Sequence, residues 1–522
     1  ANPAIAEASP IDCALPLQSL PSFSFRFLLF LGNPLALTLA RSSKFPTDMP
    51  SPLRPRFHRI RPLLSALCTL ILLGGPLSAE VKLASLYRDG AILQRETPIP
   101  VWGQATPGEK ISVQLATDTV ATVAGDGGKW LVHLPARSAD TTPVELIVQG
   151  TNRVVVRDVL IGDVWLCGGQ SNMMMAVHNA MNAEQEIAAA NQPLLRLFTV
   201  GSTFTSTPAT EVSGEWRAAL PEHVGKFSAT AYFFGRIIQR ELGVPVGLIA
   251  SSYGNTTIST WRSSTALEKH PFIAEWWKIQ QRAKTPPRPH RQPGSGFNGM
   301  IAPLAPYAVR GIIWYQGEGD ATETTLTPHY SAQFADLIRE WRELFGRGEP
   351  LPFYWVQLAG YGRAAPRDWT GAREQQTLTL AVPNTGQAIA IDLGDAIDIH
   401  PRNKQEVGRR LARLALKRTY GRDVIDSGPT ALRAESINGS VVVHFDQAAL
   451  TATGDLASAF ELAGADGKFV AADHVEISES TVIVSSNAVR HPTTVRFAWQ
   501  DLPQGFLYGA EQLPVAPFRL EL

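Results

Sequence analysis

A serine and a histidine lie far apart in this chain, each in a setting suited to nucleophilic chemistry. Ser171 sits in GGQSNM (168–173), directly after the apolar run Val164 to Cys167. Gly168 and Gly169 permit a tight turn that sets the serine at the start of a helix, where backbone N–H groups face any anion forming beside it. A hydroxyl is a poor nucleophile until a base takes its proton, and that base needs a carboxylate to hold its tautomer and stabilise the imidazolium. His400 offers the base, within DLGDAIDIHPRNK (392–404). Asp398 and Asp395 compete for the carboxylate role, and a regular extended backbone points Asp398 and His400 to the same side. Taken singly, Ser171 reads equally well as a helix cap, and the Asp-rich turn as a cap or a cation site.

Two further segments fit an oxyanion hole. SSYGNTT (251–257) follows an apolar strand and offers a backbone N–H at Gly254 or Asn255, while WYQGE (314–318) follows another and offers the side-chain amide of Gln316. The candidate donors are thus the Ser171 N–H, an N–H at Gly254 or Asn255, and the Gln316 amide. The residues suit nucleophilic catalysis, with Ser171 and His400 as the working groups and Asp398 or Asp395 as the carboxylate, a chemistry that calls for no metal and no organic cofactor. Trp261, Tyr253 and Trp314 flank these loops as candidate stacking surfaces for a flat ligand, although Trp314, inside an apolar strand, fits the core better.

The elements that must position these groups follow from the hydrophobic pattern. Between 161 and 420, strand-like runs alternate with helical periods: 163–167 then 172–190, 247–251 then a loop, 311–315 then 329–345, and 353–358 then 373–381. Residues 405–419 read as an amphipathic closing helix. That alternation predicts a parallel sheet covered on both faces, with the four loops meeting at the strands' carboxyl ends. Residues 80–160 carry short alternating runs punctuated by glycine and proline, which predicts a β-sandwich, and 421–522 reads as a second β module.

Met49 opens a segment with the physics of an export signal: four arginines at 54, 56, 59 and 61, the apolar run 63–73, then Ser78 and Ala79. The expectation is a signal peptide over 49–79, preceded by a non-native upstream extension over 1–48, and a periplasmic or secreted protein without stable membrane insertion. Of three cysteines only Cys167 lies beyond 79, so no disulfide framework or cysteine zinc site is expected, and Cys167 reads as a buried filler. Across the chain 47 basic residues balance 47 acidic ones, and 44% of residues are hydrophobic, which argues against disorder and against a nucleic-acid partner.

Together, GQSNM around Ser171, WYQGE around Gln316 and DIHPRNK from Asp398 resemble the blocks of the SGNH-type hydrolases, and more closely the sialate O-acetylesterase-like carbohydrate esterases. The likeness extends to 164–166 before the serine, to NGMIAPL (298–304) and to the ending near 506–519. It implies a three-layer α/β/α domain with a parallel sheet, flanked by β-sandwich-like modules. By that resemblance Ser171 is the nucleophile, His400 the base and Asp398 its partner, acting on an acetylated carbohydrate. Departures occur beside the pocket: Gly254-Asn255 stands where many relatives carry two glycines, and Gly319-Asp320 where a Ser-Asn pair is common. The substrate stays open between acetylated plant cell-wall oligosaccharides, such as xyloglucan or xylan, and O-acetylated sialic acid. The rivals are a non-catalytic carbohydrate-binding protein with a degenerate hydrolase core and a peptidase or lipase using the same triad.

Overall fold

The computed structural model describes residues 80–285, 287–363 and 366–522. The segments 1–48 and 49–79 therefore lie outside the described residues, and with them the expected extension and signal peptide. Residues 80–522 belong to one compact unit.

The spine of that unit is a single 17-residue strand, β1 (Arg153–Gly169). Its first half pairs with the antiparallel strand Asp140–Gln149 and with Ile92–Gln94, which belong to the N-terminal β layers. Its second half pairs in parallel with the strands on either side in the central sheet. From Val159 to Gly169 every residue is buried, so the apolar run is that of a strand covered on both faces. Asp163, at the junction, takes hydrogen bonds from Arg95 of the N-terminal layers and from Arg310 and Tyr420 of the α/β layers. Burial pushes its carboxyl up, but the two guanidinium groups win and hold it below the usual range.

After β1 come α1 (Ser171–Met174), β2 (Gln192–Thr199), β3 (Trp216–Ala219), α2 (Ala229–Leu242) and β4 (Val246–Ser252). They are followed by β5 (Gly311–Tyr315), α3 (Tyr330–Leu344), β6 (Phe353–Val356), α4 (Trp369–Leu378), β7 (Thr385–Ala388) and α5 (Lys404–Arg418). The sheet order is β3-β2-β4-β1-β5-β6-β7, parallel except for the antiparallel edge strand β3. The predicted α/β class with a parallel sheet and flanking β layers is what forms. Helices α2 and α5 cover one face, and α3 covers the other through a fully buried cluster that includes Trp314, Phe334, Trp341 and Phe353. Each large apolar side chain so removed from water contributes about 1.5–3 kcal/mol.

Helix α5 starts where the pattern places it, because the Asn403 side chain accepts the Glu406 N–H as an N-cap. The helical period read over 172–190 is different. It breaks into α1, the short turn Val177–Asn179 and the helix Ala183–Ala188. Tertiary pairing overrides propensity here: the Val177 and His178 N–H groups donate to the Phe227 and Gly225 carbonyls, pulling the chain out of helix.

The C-terminal segment forms two four-stranded sheets and one two-stranded sheet. It docks on the α/β layers through Arg373, whose buried guanidinium donates to the Gln500 and Asp501 carbonyls, and through Tyr508, which reaches Asp392. No helix among the described residues is long and apolar enough to cross a membrane.

Candidate active site

Register brings the loops together. Gly169 at the end of β1 lies opposite Ser252 of β4 and Tyr315 of β5, so the segments that follow all leave the sheet at one level. Gly169 is required there: a Cβ would stand 2.1 Å from the Tyr315 carbonyl oxygen, and its φ of +141° lies in the region glycine favours. The Gln170 N–H donates to that carbonyl, and the Tyr253 N–H donates to the Gly169 carbonyl, locking the three turns to one another.

Ser171 is the first residue of α1, with Gln170 at the cap position and no side-chain cap bond, so the capping role considered for the serine is not the one it plays. Gly254 lies against it: a Cβ on Gly254 would stand 3.4 Å from the Ser171 Cβ. Neither the Ser171 N–H nor the Gly254 N–H meets an acceptor among the described residues. Asn255 turns outward with φ of 58°, and its side chain accepts from Arg291.

Asp398 Oδ1 accepts the backbone N–H of His400 and lies 3.2 Å from its ring Nδ1. Asp395 instead accepts the N–H groups of Ile397 and Asp398, and these bonds hold its carboxyl below the usual carboxylate range. Asp395 therefore shapes the loop, and Asp398 faces the imidazole. The histidine loop is joined to the serine turn by Asn172, which donates to the Ile399 carbonyl at 3.0 Å. Neighbours of positions 171 and 400 thus touch across the whole α/β domain.

Gln316, expected at the oxyanion hole, has its side chain engaged inside the fold. It is fully buried; its Nε2 donates to the Thr256 carbonyl and to Asp320, and its Oε1 accepts from Tyr330. Both amide hydrogens are consumed inside the fold, where they shape the 253–258 loop. Trp261 and Trp314 are likewise fully buried in the core and unavailable to a sugar, whereas Tyr253 is half-buried against Phe204 and His290. Cys167 is the expected buried filler, and burial lifts its thiol far above the usual range.

Several buried polar residues at the site escaped the sequence reading. Lys404 Nζ donates to Asn172 Oδ1, and Asn172 Nδ2 donates to Glu318 Oε1. Burial lowers the Lys404 ammonium to about 7, against the raising pull of Glu318 and Asp398, and the same burial raises the Glu318 carboxyl. Asp320 is also fully buried, accepts from the Ile258 N–H and Gln316, and is pushed up to about 7 by burial. The signal that could have found them is their position: Asn172, Glu318 and Lys404 each stand inside one of the three motifs, and Asp320 lies two residues beyond WYQGE.

A parallel α/β layer with a serine turn, a carboxylate-held histidine and free amide N–H groups at its carboxyl edge defines a hydrolase of the SGNH type. A family model described as carbohydrate esterase, sialic acid-specific acetylesterase, matches residues 161–417. The sialate O-acetylesterase of Homo sapiens is 32% identical over 394 residues, covering 68% of this chain and 74% of the relative. That of Mus musculus is 30% identical over 513 residues, covering 84% and 94%. A solved carbohydrate acetylesterase from Xanthomonas citri superposes with a TM-score of 0.77 at 39% identity, covering 84% of this chain and 99% of that one. The chain belongs to the sialate O-acetylesterase family of carbohydrate esterases.

Proposed function

We propose that this carbohydrate O-acetylesterase works through a covalent acetyl-serine. The observation that carries the reading is His400 held by Asp398 on a loop hydrogen-bonded to the residue after Ser171. Ser171 Oγ attacks the acetyl carbonyl while His400 takes its proton, and the backbone N–H groups of Ser171 and Gly254 receive the oxyanion. The imidazolium then gives its proton to the sugar oxygen as the bond from that oxygen to the acetyl carbon breaks, freeing the sugar hydroxyl. Water, deprotonated by the same imidazole, releases acetate and restores the serine. Gln316 supports the hole by fixing the carbonyl of Thr256, two residues beyond Gly254.

For the substrate we favour an acetylated neutral glycan, of the kind derived from plant cell walls, over O-acetylated sialic acid. The loop beside the imidazole presents Asp395 and Asp398 to solvent, and nearby Arg291 is already paired with Glu323. Such a rim suits an uncharged sugar better than a sugar carboxylate. The signal-like segment 49–79 supports action outside the cytoplasm.

Acetate release from 4-nitrophenyl acetate by wild type and Ser171→Ala tests the chemistry, with loss of at least roughly 10³-fold expected in the variant. Equal rates would remove Ser171 from the mechanism. A panel of acetylated xyloglucan, xylan and sialoside substrates decides the sugar, and preferential turnover of the sialosides would reverse our choice. N-terminal sequencing of the exported protein tests cleavage after Ala79.

A further inference from the structure

We propose that Asn172, Lys404 and Glu318 form a buried bracket that positions His400 for its work on Ser171, with Asn172 as the positioning residue and the two charged side chains as its anchors. The inference rests on the acetyl-serine reading above and assigns to it residues outside the triad and the oxyanion hole.

The amide of Asn172 is used from both ends. Its Oδ1 accepts from Lys404 Nζ at 2.5 Å, and its Nδ2 donates to Glu318 Oε1 at 2.5 Å and to the Ile399 carbonyl at 3.0 Å. All three side chains are buried, with exposures of 1% for Asn172, 3% for Glu318 and 0% for Lys404. They come from three places: the serine turn after β1, the turn after β5, and the first residue of α5. Only an amide fits the middle position, because it presents an acceptor to the ammonium and donors to the carboxylate and the carbonyl. An aspartate there would set an acceptor against two acceptors.

The consequence for His400 follows from peptide geometry. The Ile399 carbonyl and the His400 N–H belong to one planar unit. Asn172 holds its carbonyl end, and Asp398 Oδ1 holds its N–H end at 2.9 Å. A plane fixed at both ends fixes the His400 N–Cα bond from which the side chain hangs, and the Asp398 oxygen 3.2 Å from Nδ1 then orients the ring. The stretch from Asp395 to Asp398 is exposed, so this bracket supplies an anchor from the interior that the loop's own short-range bonds do not. The anchors are firm because losing either would leave a polar atom of the buried Asn172 amide without its partner.

The test measures kcat and KM on 4-nitrophenyl acetate for wild type, Ser171→Ala, Asn172→Ala, Lys404→Met and His400→Ala, and for His400→Ala combined with Asn172→Ala. Reactive serine is counted in the proteins that retain His400 and Ser171 by titration with a fluorophosphonate, so only folded enzyme enters kcat. Asn172→Ala and Lys404→Met are expected to lower kcat per titrated serine by about tenfold or more, with KM within about twofold of wild type. In the His400→Ala background the Asn172 change is expected to alter the residual rate by less than about twofold, since its effect passes through the imidazole. Where Asn172→Ala yields little folded protein, Lys404→Met, similar in length and uncharged, gives the same reading. Unchanged kcat per serine in both variants overturns the bracket, as does an equal loss with and without His400. Full activity in Ser171→Ala would sink the underlying mechanism, whereas an inactive Ser171→Ala beside fully active bracket variants sinks the bracket alone.

Discussion

One oxygen of Asp398 meets His400 twice, accepting its backbone N–H at 2.9 Å and lying 3.2 Å from its ring Nδ1. A carboxylate only accepts, so this contact assigns the hydrogen to Nδ1 and leaves Nε2 free to act as the base in the proposed mechanism. The same oxygen therefore orients the ring and selects its tautomer.

Asp398→Asn is expected to lower kcat by about 10²-fold, less than for a fully buried triad carboxylate because the pair is partly exposed. Asp395→Asn retains an oxygen that can accept the Ile397 and Asp398 N–H groups, and should stay within about threefold of wild type. Steady-state kinetics on the two purified variants decide the matter, and a loss confined to Asp395→Asn would reverse the assignment.

Gly254→Ala probes the oxyanion space. The added methyl would stand 3.4 Å from the Ser171 Cβ, an ordinary contact, so stability should change by less than about 1 kcal/mol. Activity should fall by about tenfold or more, because the methyl occupies the ground beside the amide that receives the developing charge in the proposed mechanism. Thermal melts and kcat/KM measured together separate the two effects.

Asp320 makes stability depend on pH in a stated direction. Its carboxyl is pushed up to about 7 by burial, so between its ordinary value of 3.8 and about 7 the folded state holds a proton that the unfolded state has lost. Stability from this group is intact at low pH and declines as pH rises through that window, at up to about 1.4 kcal/mol per unit. Asp320→Asn removes the decline. Urea midpoints should favour the variant more at pH 8 than at pH 5, and parallel pH profiles for the two proteins would refute the assignment.

Cys167 should be chemically silent in the native state. It is fully buried and its thiol is lifted by desolvation, so little thiolate forms. Iodoacetamide labelling mapped by mass spectrometry should leave it unmodified under native conditions and modify it fully in urea. Labelling at equal rates in both would show that the strand core opens readily.

The serine turn, the histidine loop and the strand pattern were legible because each is local: a glycine turn after an apolar run, or a carboxylate two residues from an imidazole. Asn172, Glu318 and Lys404 were not, since a polar residue in a loop reads as solvated until a distant segment buries it. The same limit hid the state of Gln316, whose amide faces a possible oxyanion in sequence but is spent on Thr256 and Asp320 in the fold. The broken helix after Ser171 is another case, where the Phe227 carbonyl outcompetes a good local period.

The shared strand β1 bears on how the protein can be engineered. A cut near residue 161 would sever the cable that ends two residues before Ser171, leaving the α/β portion with a frayed central strand. The N-terminal layers are therefore no detachable accessory, and swapping them between relatives calls for a splice that carries the whole of Arg153–Gly169 with its flanking partners.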